Sequence, residues 1–323
     1  MATGRGVTRV LEKLRKSVEN GEYYEAHQMY RTLYFRYNAQ KKYAEAIDLL
    51  YNGAITLLKK NQHTSGTDLA MLLVDTLEKS SSVPENKMFE KLTEIHNLIE
   101  AEVPDRPNFV SLALRWSKTG ETDLRSGHPE LHRLFALNFW QEKSYVQARY
   151  HFLHSKDGEG CATMLVEYHV SYGYASEADL FITQAVLQYL CLRQRGPAET
   201  ALKSYTTLHP QVEKGPPYVR PLLNFLWLLL LAVEGGKVTV FTVLCEQYQP
   251  SLIRDPTYNE YLDRIGQLFF GIPPPKPVGG GLFENLLSSL FSGMEDSDDE
   301  ASGSQPTAPR PTAAPSMSNM DLD

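Results

Sequence analysis

Apolar residues recur along most of this chain at steps of three and four, the spacing of one helix face. Val10, Leu11, Leu14 and Val18 begin the series, with Arg9, Lys13, Arg15 and Lys16 between them. Asn20 and Gly21 stop that first predicted helix. The second runs from 22 to about 39, with Tyr23, Ala26, Tyr30, Leu33 and Tyr37 on one side. The third, from 42 to about 60, carries Tyr43, Ala46, Leu50, Ala54 and Leu57. Helical runs follow over 67–77 and 84–99. Pro104 to Pro107 is a break, 109–116 resumes, and a polar loop fills 118–127. His128 and Pro129 open a helix to about 143, paired with 145–154. Further helices are predicted over 160–169, 176–192, 197–208 and 258–270. No stretch alternates with period two over consecutive strands.

Two segments resist this pattern. Pro210, Gly215, Pro216, Pro217 and Pro221 put too many breakers into 209–221 for a helix, which leaves a loop or a small β-hairpin. Val238 to Val243 is β-branched, but it continues into Leu244 to Tyr248 more comfortably as a helix. The run 222–233 is the longest apolar stretch. At about twelve residues, against the ~20 needed to cross a bilayer, it predicts a buried core helix.

A short phrase repeats within the pattern. Tyr23-Tyr24-Glu25-Ala26, Tyr43-Ala44-Glu45-Ala46 and Tyr145-Val146-Gln147-Ala148 each follow a polar turn and open an apolar run. A looser copy, Tyr174 to Ala178, has one extra residue. The small Ala lets a neighbouring helix approach, and the Tyr three residues earlier fills the space beside it. That is the packing of stacked helical hairpins, so the expected fold is an all-α, right-handed, tetratricopeptide-like α-solenoid. The repeat is degenerate and not a clean tetratricopeptide period. Four regions are expected: a flexible N-terminus (1–6), an N-terminal half (7–155), a C-terminal half (156–271) and a disordered Pro-, Ser- and acid-rich tail (272–323).

Charge changes the picture at both ends. The chain has 323 residues and a net charge of -7, which argues against general nucleic-acid binding. Yet residues 1–60 hold eleven Lys and Arg against six Asp and Glu. In the tail, acidic residues outnumber basic ones. Ser297, set among Glu295, Asp296, Asp298, Asp299 and Glu300, suits an acidophilic kinase. Between tail and solenoid lies a short apolar segment, 281–291, whose weighed alternative role is a membrane-surface anchor. Three scattered cysteines (Cys161, Cys191, Cys245) suit buried thiols of a reducing compartment. No secretory signal is visible, and a cytosolic protein is expected.

Candidate chemistry is sparse. His151, His154 and Cys161, or His128 and His132, lack the ligand count of a zinc site. Asp157-Gly158-Glu159-Gly160 is acidic where a phosphate cradle is neutral or basic. No catalytic residue, cofactor or metal is expected. The basic face of the first three helices is the better candidate, for an acidic protein partner.

Longer phrases carry a resemblance. Asn20 to Leu33, Tyr150 to Ser155 with Asp157 to Cys161, Phe241 to Leu252 and Tyr258 to Phe270 resemble the Golgi-to-ER traffic protein four family in its animal form, over about 7–277. The resemblance implies a cytosolic scaffold without enzymatic activity, in the pathway that hands tail-anchored membrane proteins to the ER. Its implied partners are the targeting ATPase at the N-terminal half and, at the C-terminal half, the chaperone scaffold Scythe with its ubiquitin-like adaptor. Neither nucleic acid nor stable membrane insertion is implied. Carried onto this sequence, the ATPase contacts fall on Arg15, Arg31, Arg36 and Lys42. The co-scaffold contacts are placed on Phe225, Trp227, Phe241, Tyr248, Tyr258 and Tyr261. The alternative is a helical subunit of a proteasome-lid or signalosome-like complex, which would end in a winged-helix module with a small sheet.

Overall fold

The computed structural model describes residues 2–118 and 126–274, with side chains from residue 8 onward. Fifteen α-helices and one short 3₁₀ turn, Ala175–Glu177, account for the described fold, and no strand occurs among the described residues. The first hairpins are α1 (Ala2–Glu19), α2 (Tyr23–Ala39), α3 (Tyr43–Leu58) and α4 (His63–Lys79). Then come α5 (Asn86–Leu98), α6 (Arg106–Trp116), α7 (Pro129–Gln141), α8 (Tyr145–Ser155) and α9 (Gly158–Tyr172). The second half continues with α10 (Ala178–Cys191), α11 (Arg195–Leu208), α12 (Pro221–Gly235) and α13 (Val238–Gln247). Two more, α14 (Gln249–Leu252) and α15 (Thr257–Phe269), end it. Met1–Pro273 is one compact unit. The 281–291 segment and Ser297 lie outside the described residues, as does most of the polar loop expected over 118–127.

One turn geometry builds much of the stack. Gly21, Lys41, Asn61 and Ser81 all have positive φ (79, 56, 57 and 51°) and sit at intervals of twenty residues. Lys143, Lys156 and Arg193 repeat the conformation at 61, 64 and 59°. At several of these turns the amide after the left-handed residue reaches back into the preceding helix: Lys42 to the Tyr37 carbonyl, Gln62 to Leu57, Ser144 to Phe139 and Gln194 to Tyr189, each at 2.9 Å. This is the Schellman closure of a helix C-terminus. Five residues after the left-handed position comes a buried residue whose amide starts the next helix: Ala26, Ala46, Gly66, Ala148, Cys161 and Ala198. The position must be small because the preceding helix lies against it. A Cβ on Gly66 would meet Leu58 Cγ at 2.5 Å.

Helices pack on near neighbours in the order expected of stacked hairpins, α3 on α4, α4 on α6, α5 on α7, α7 on α8 and α9 on α11. From α1 to α7 the core is a continuous apolar seam that includes Leu50, Leu73, Phe89, Phe109, Trp116 and Phe135. Lateral ion pairs lock one layer: His27 and Arg31 on α2 to Asp68 on α4 at 2.7 and 3.2 Å, and Arg115 on α6 to Glu78 on α4 at 2.9 Å. The end of the stack is closed differently. α15 folds back onto α10, where Gln188 Nε2 donates to Tyr261 OH at 2.9 Å, and Arg254, in the turn before α15, donates from Nη1 to Asp179 Oδ2 at 2.8 Å.

The structure moves some expected boundaries. α4 begins at His63 and not near 67, because Gly66 is the small packing residue of the repeat. α6 begins at Arg106 inside the expected Pro break, with Pro107 in the first turn, where its missing N–H costs nothing. The proline-rich 209–220 segment is a loop without strands, and Val238 opens a helix.

Candidate protein-binding surfaces

The four basic residues placed at the N-terminal surface do not behave alike. Arg15 is exposed and, among the described residues, pairs only with Glu19 one turn away, at 3.5 Å. Arg31 is half-buried, and its guanidinium meets both oxygens of Asp68, which also takes His27. Its charge is largely spent holding α2 to α4. Arg36, Lys41 and Lys42 are exposed at the end of α2 and the turn into α3, with no ion pair among the described residues. Phe35 (55% exposed) stands beside Arg36 on α2, Tyr24 (76%) is exposed at the opposite end of that helix, and Tyr30 is buried. The accessible surface at the end of α2 is therefore cationic with one exposed aromatic ring, a composition found at protein interfaces.

The aromatic residues placed at the C-terminal surface divide as well. Phe225, Phe241 and Tyr258 are buried, and Phe241 stacks on Phe270 at 4.5 Å. Trp227, Tyr248 and Tyr261 are half-buried. Of the six, Tyr248 borders an open apolar groove of about 690 Å³ between α12 and α13. Leu228, Leu231, Val240 and Val243 line it, and Leu231, Val240 and Val243 are about half exposed. Sequence reasoning missed these aliphatic residues. The signal was present: Val240 and Val243 lie three apart on a helix whose other face carries Phe241, Leu244 and Cys245, so α13 is apolar on both sides.

Buried histidines pair with one another in the interior. His132 Nε2 lies 3.3 Å from the Ser126 carbonyl, which makes it the donor there and leaves Nδ1 to accept from His151 Nδ1 at 3.0 Å. His169 and His209 form a like relay at 2.8 Å, anchored on the Tyr174 carbonyl. Burial, with the neighbouring histidine charges, pulls His132 down to about 4 and His151 to about 3, so both are neutral at pH 7. Burial pushes the Cys161 and Cys245 thiols up to about 12 and Cys191 to about 11, where thiolate chemistry is suppressed. No group of three or more His, Cys, Asp or Glu that could hold a metal occurs among the described residues, and no helix there is long and apolar enough to cross a membrane.

Comparison with known proteins agrees with this architecture. The family model for Golgi to ER traffic protein 4 matches residues 40–291. The Golgi to ER traffic protein 4 homolog of Oryzias latipes is 57% identical over 305 residues, covering 94% of each chain. The homolog of Homo sapiens is 56% identical over 300 residues, covering 93% of this chain and 91% of its own. A crystal structure of Get4 from C. therm. superposes with a TM-score of 0.77 at 29% identity, over 92% of this chain and 100% of that one.

Proposed function

The chain belongs to the Golgi to ER traffic protein 4 family, and on that premise we propose that it is a cytosolic scaffold joining a chaperone co-scaffold to the ATPase that targets tail-anchored proteins to the ER. The observation that carries this reading is the contrast between its two free surfaces. The first hairpins offer cations without an ion pair among the described residues, Arg36, Lys41 and Lys42, which suit an acidic face on the ATPase. The last hairpins offer an apolar groove between α12 and α13, which suits a hydrophobic segment of Scythe, itself carrying the ubiquitin-like adaptor. Holding both partners raises the local concentration of client-bearing chaperone near the ATPase without bond chemistry in this chain.

Paired substitutions test the two surfaces separately. Arg36→Glu with Lys42→Glu weakens ATPase binding at least about tenfold in calorimetric titration, more at low salt than at high, and leaves Scythe binding unchanged. Val240→Asp with Val243→Asp has the converse effect, since it buries charge in the groove. Unchanged ATPase affinity in the first variant, or unchanged Scythe affinity in the second, removes the corresponding surface.

A further inference from the structure

The α12–α13 groove has the form of a seat for one more helix. Leu228, Leu231 and Gly235 stand at i, i+3 and i+7 on α12, and Val240, Val243 and Gln247 repeat that spacing on α13. Two such rows side by side leave a trough that a third helix fills, ridge into groove. A Cβ on Gly235 would meet nothing within 4 Å, so the α12 row is open at that end. Lys237, in the turn between the two helices, is the one charged residue on the lining among the described residues, and it makes no ion pair among them. The trough therefore suits a short amphipathic helix with one acidic side chain toward the α12–α13 turn.

The chain's own sequence holds such a segment just past the folded unit. Leu282, Phe283, Leu286, Leu287, Leu290 and Phe291 recur at steps of three and four, the spacing of one helix face, with Asn285, Ser288 and Ser289 between them. Glu284 is the single charge in 281–291 and lies near its start. So short a stretch is marginal as a helix alone in water and cannot cross a bilayer, so its apolar stripe needs a surface to cover it. The folded unit ends at Pro273, next to α13. Phe270 stacks on Phe241 in the first turn of α13, and the Ile272 amide donates to the Gly266 carbonyl at 3.2 Å. The step from Pro273 to Leu282 reaches about 30 Å when extended. The way around α13 from the Phe241 face to the groove is about 16–19 Å, half the girth of a helix ~10–12 Å across. Chain length thus suffices, and the segment enters at the end of the groove that carries Lys237.

We propose that residues 281–291 dock as a helix in the α12–α13 groove of their own chain, with Glu284 toward Lys237. Tethered so closely, the segment is present at about millimolar effective concentration, and any incoming apolar segment must displace it. That Scythe is the displacing partner rests on the reading of the groove given above; the docking itself does not.

The test uses the full chain and a fluorescent peptide of residues 279–293, read by anisotropy. Leu286→Asp with Leu290→Asp in the full chain puts charge on the apolar stripe and empties the groove, and both positions lie outside the folded unit. The peptide binds this variant saturably and binds the wild-type chain at least about tenfold more weakly. Adding Val240→Asp with Val243→Asp, at exposed positions, abolishes binding. Adding Lys237→Glu instead weakens it severalfold, and a peptide with Glu284→Lys restores it. No binding to the emptied chain up to about 200 μM, equal binding to emptied and wild-type chains, or binding untouched by the groove substitutions overturns the proposal. So does a wild-type chain that sediments as a dimer, or floats with phosphatidylcholine vesicles, only while Leu286 and Leu290 are intact. Titration of Scythe decides the other reading separately: equal Scythe affinity of emptied and wild-type chains removes Scythe from the groove and leaves the docked segment in place.

Discussion

Replacing the left-handed residues of the turns by glycine should stabilise the protein in a defined order. A non-glycine residue in this region carries roughly 1–2 kcal/mol of steric strain. Glycine removes that strain and returns about 0.5–1 kcal/mol through the greater entropy of its unfolded state. Ser81, at φ 51°, makes no side-chain hydrogen bond among the described residues, so Ser81→Gly gains the full difference, about 0.7 kcal/mol. Lys41, Lys156 and Arg193 follow helix C-termini, where a cation is worth about 0.3 kcal/mol, so each glycine there gains about 0.4 kcal/mol. Asn61 tolerates this conformation, and Asn61→Gly is close to neutral. Gly21 has open space around it, so Gly21→Ala isolates the backbone term and loses about 1 kcal/mol. The turns share no partners, and the Ser81, Lys41, Lys156 and Arg193 changes together add to about 2 kcal/mol. Urea midpoints read this directly, and the melting temperature should rise by about 3–4 °C. A destabilised Ser81→Gly, or a gain at Asn61 equal to that at Ser81, refutes the strain account.

Acid should weaken the fold through its histidines. His132 and His151 sit at about 4 and 3 in the folded chain and near 6.5 when unfolded, so the unfolded chain takes up protons first. Their contribution is complete above pH 6.5 and falls away as pH drops from there toward 4 and 3; urea midpoints of His132→Leu with His151→Leu should show a flatter decline over pH 6 to 4. Gly158→Ala would put a Cβ 2.2 Å from the Pro197 carbonyl oxygen and 3.0 Å from the Ala201 nitrogen, forcing α9 from α11 at a cost of about 2–3 kcal/mol in chemical denaturation. Arg106→Met alone strands the Glu142 carboxylate and costs about 2 kcal/mol, discounted because that side chain is 28% exposed; adding Glu142→Leu should recover more than half by the same measurement.

Helix existence was legible from three- and four-residue spacing throughout, and so was the role of Ala26, Ala46 and Ala148. The full turn repeat was not. Gly66, Cys161 and Ala198 occupy the same packing position without the Tyr that made the other copies visible, since only smallness is required there. The C-terminal surface was read from large aromatics, and Phe225 and Tyr258 proved to be core. Size draws a ring inward as readily as toward a partner, whereas exposed Val240 and Val243 mark a surface because aliphatic side chains gain nothing from water. Arg31 looked available because its partner Asp68 is thirty-seven residues away, beyond any local pattern.

The return of α15 onto α10 has a mechanical consequence. The bonds of α15 and of the turn before it span seventy or more residues, Arg254 to Asp179 across 75 and Gln188 to Tyr261 across 73. The N-terminal hairpins are tied mainly to adjacent ones. Loss of α15 would therefore uncover α10, five helices earlier in the chain, whereas loss of α1 uncovers only its neighbour α2.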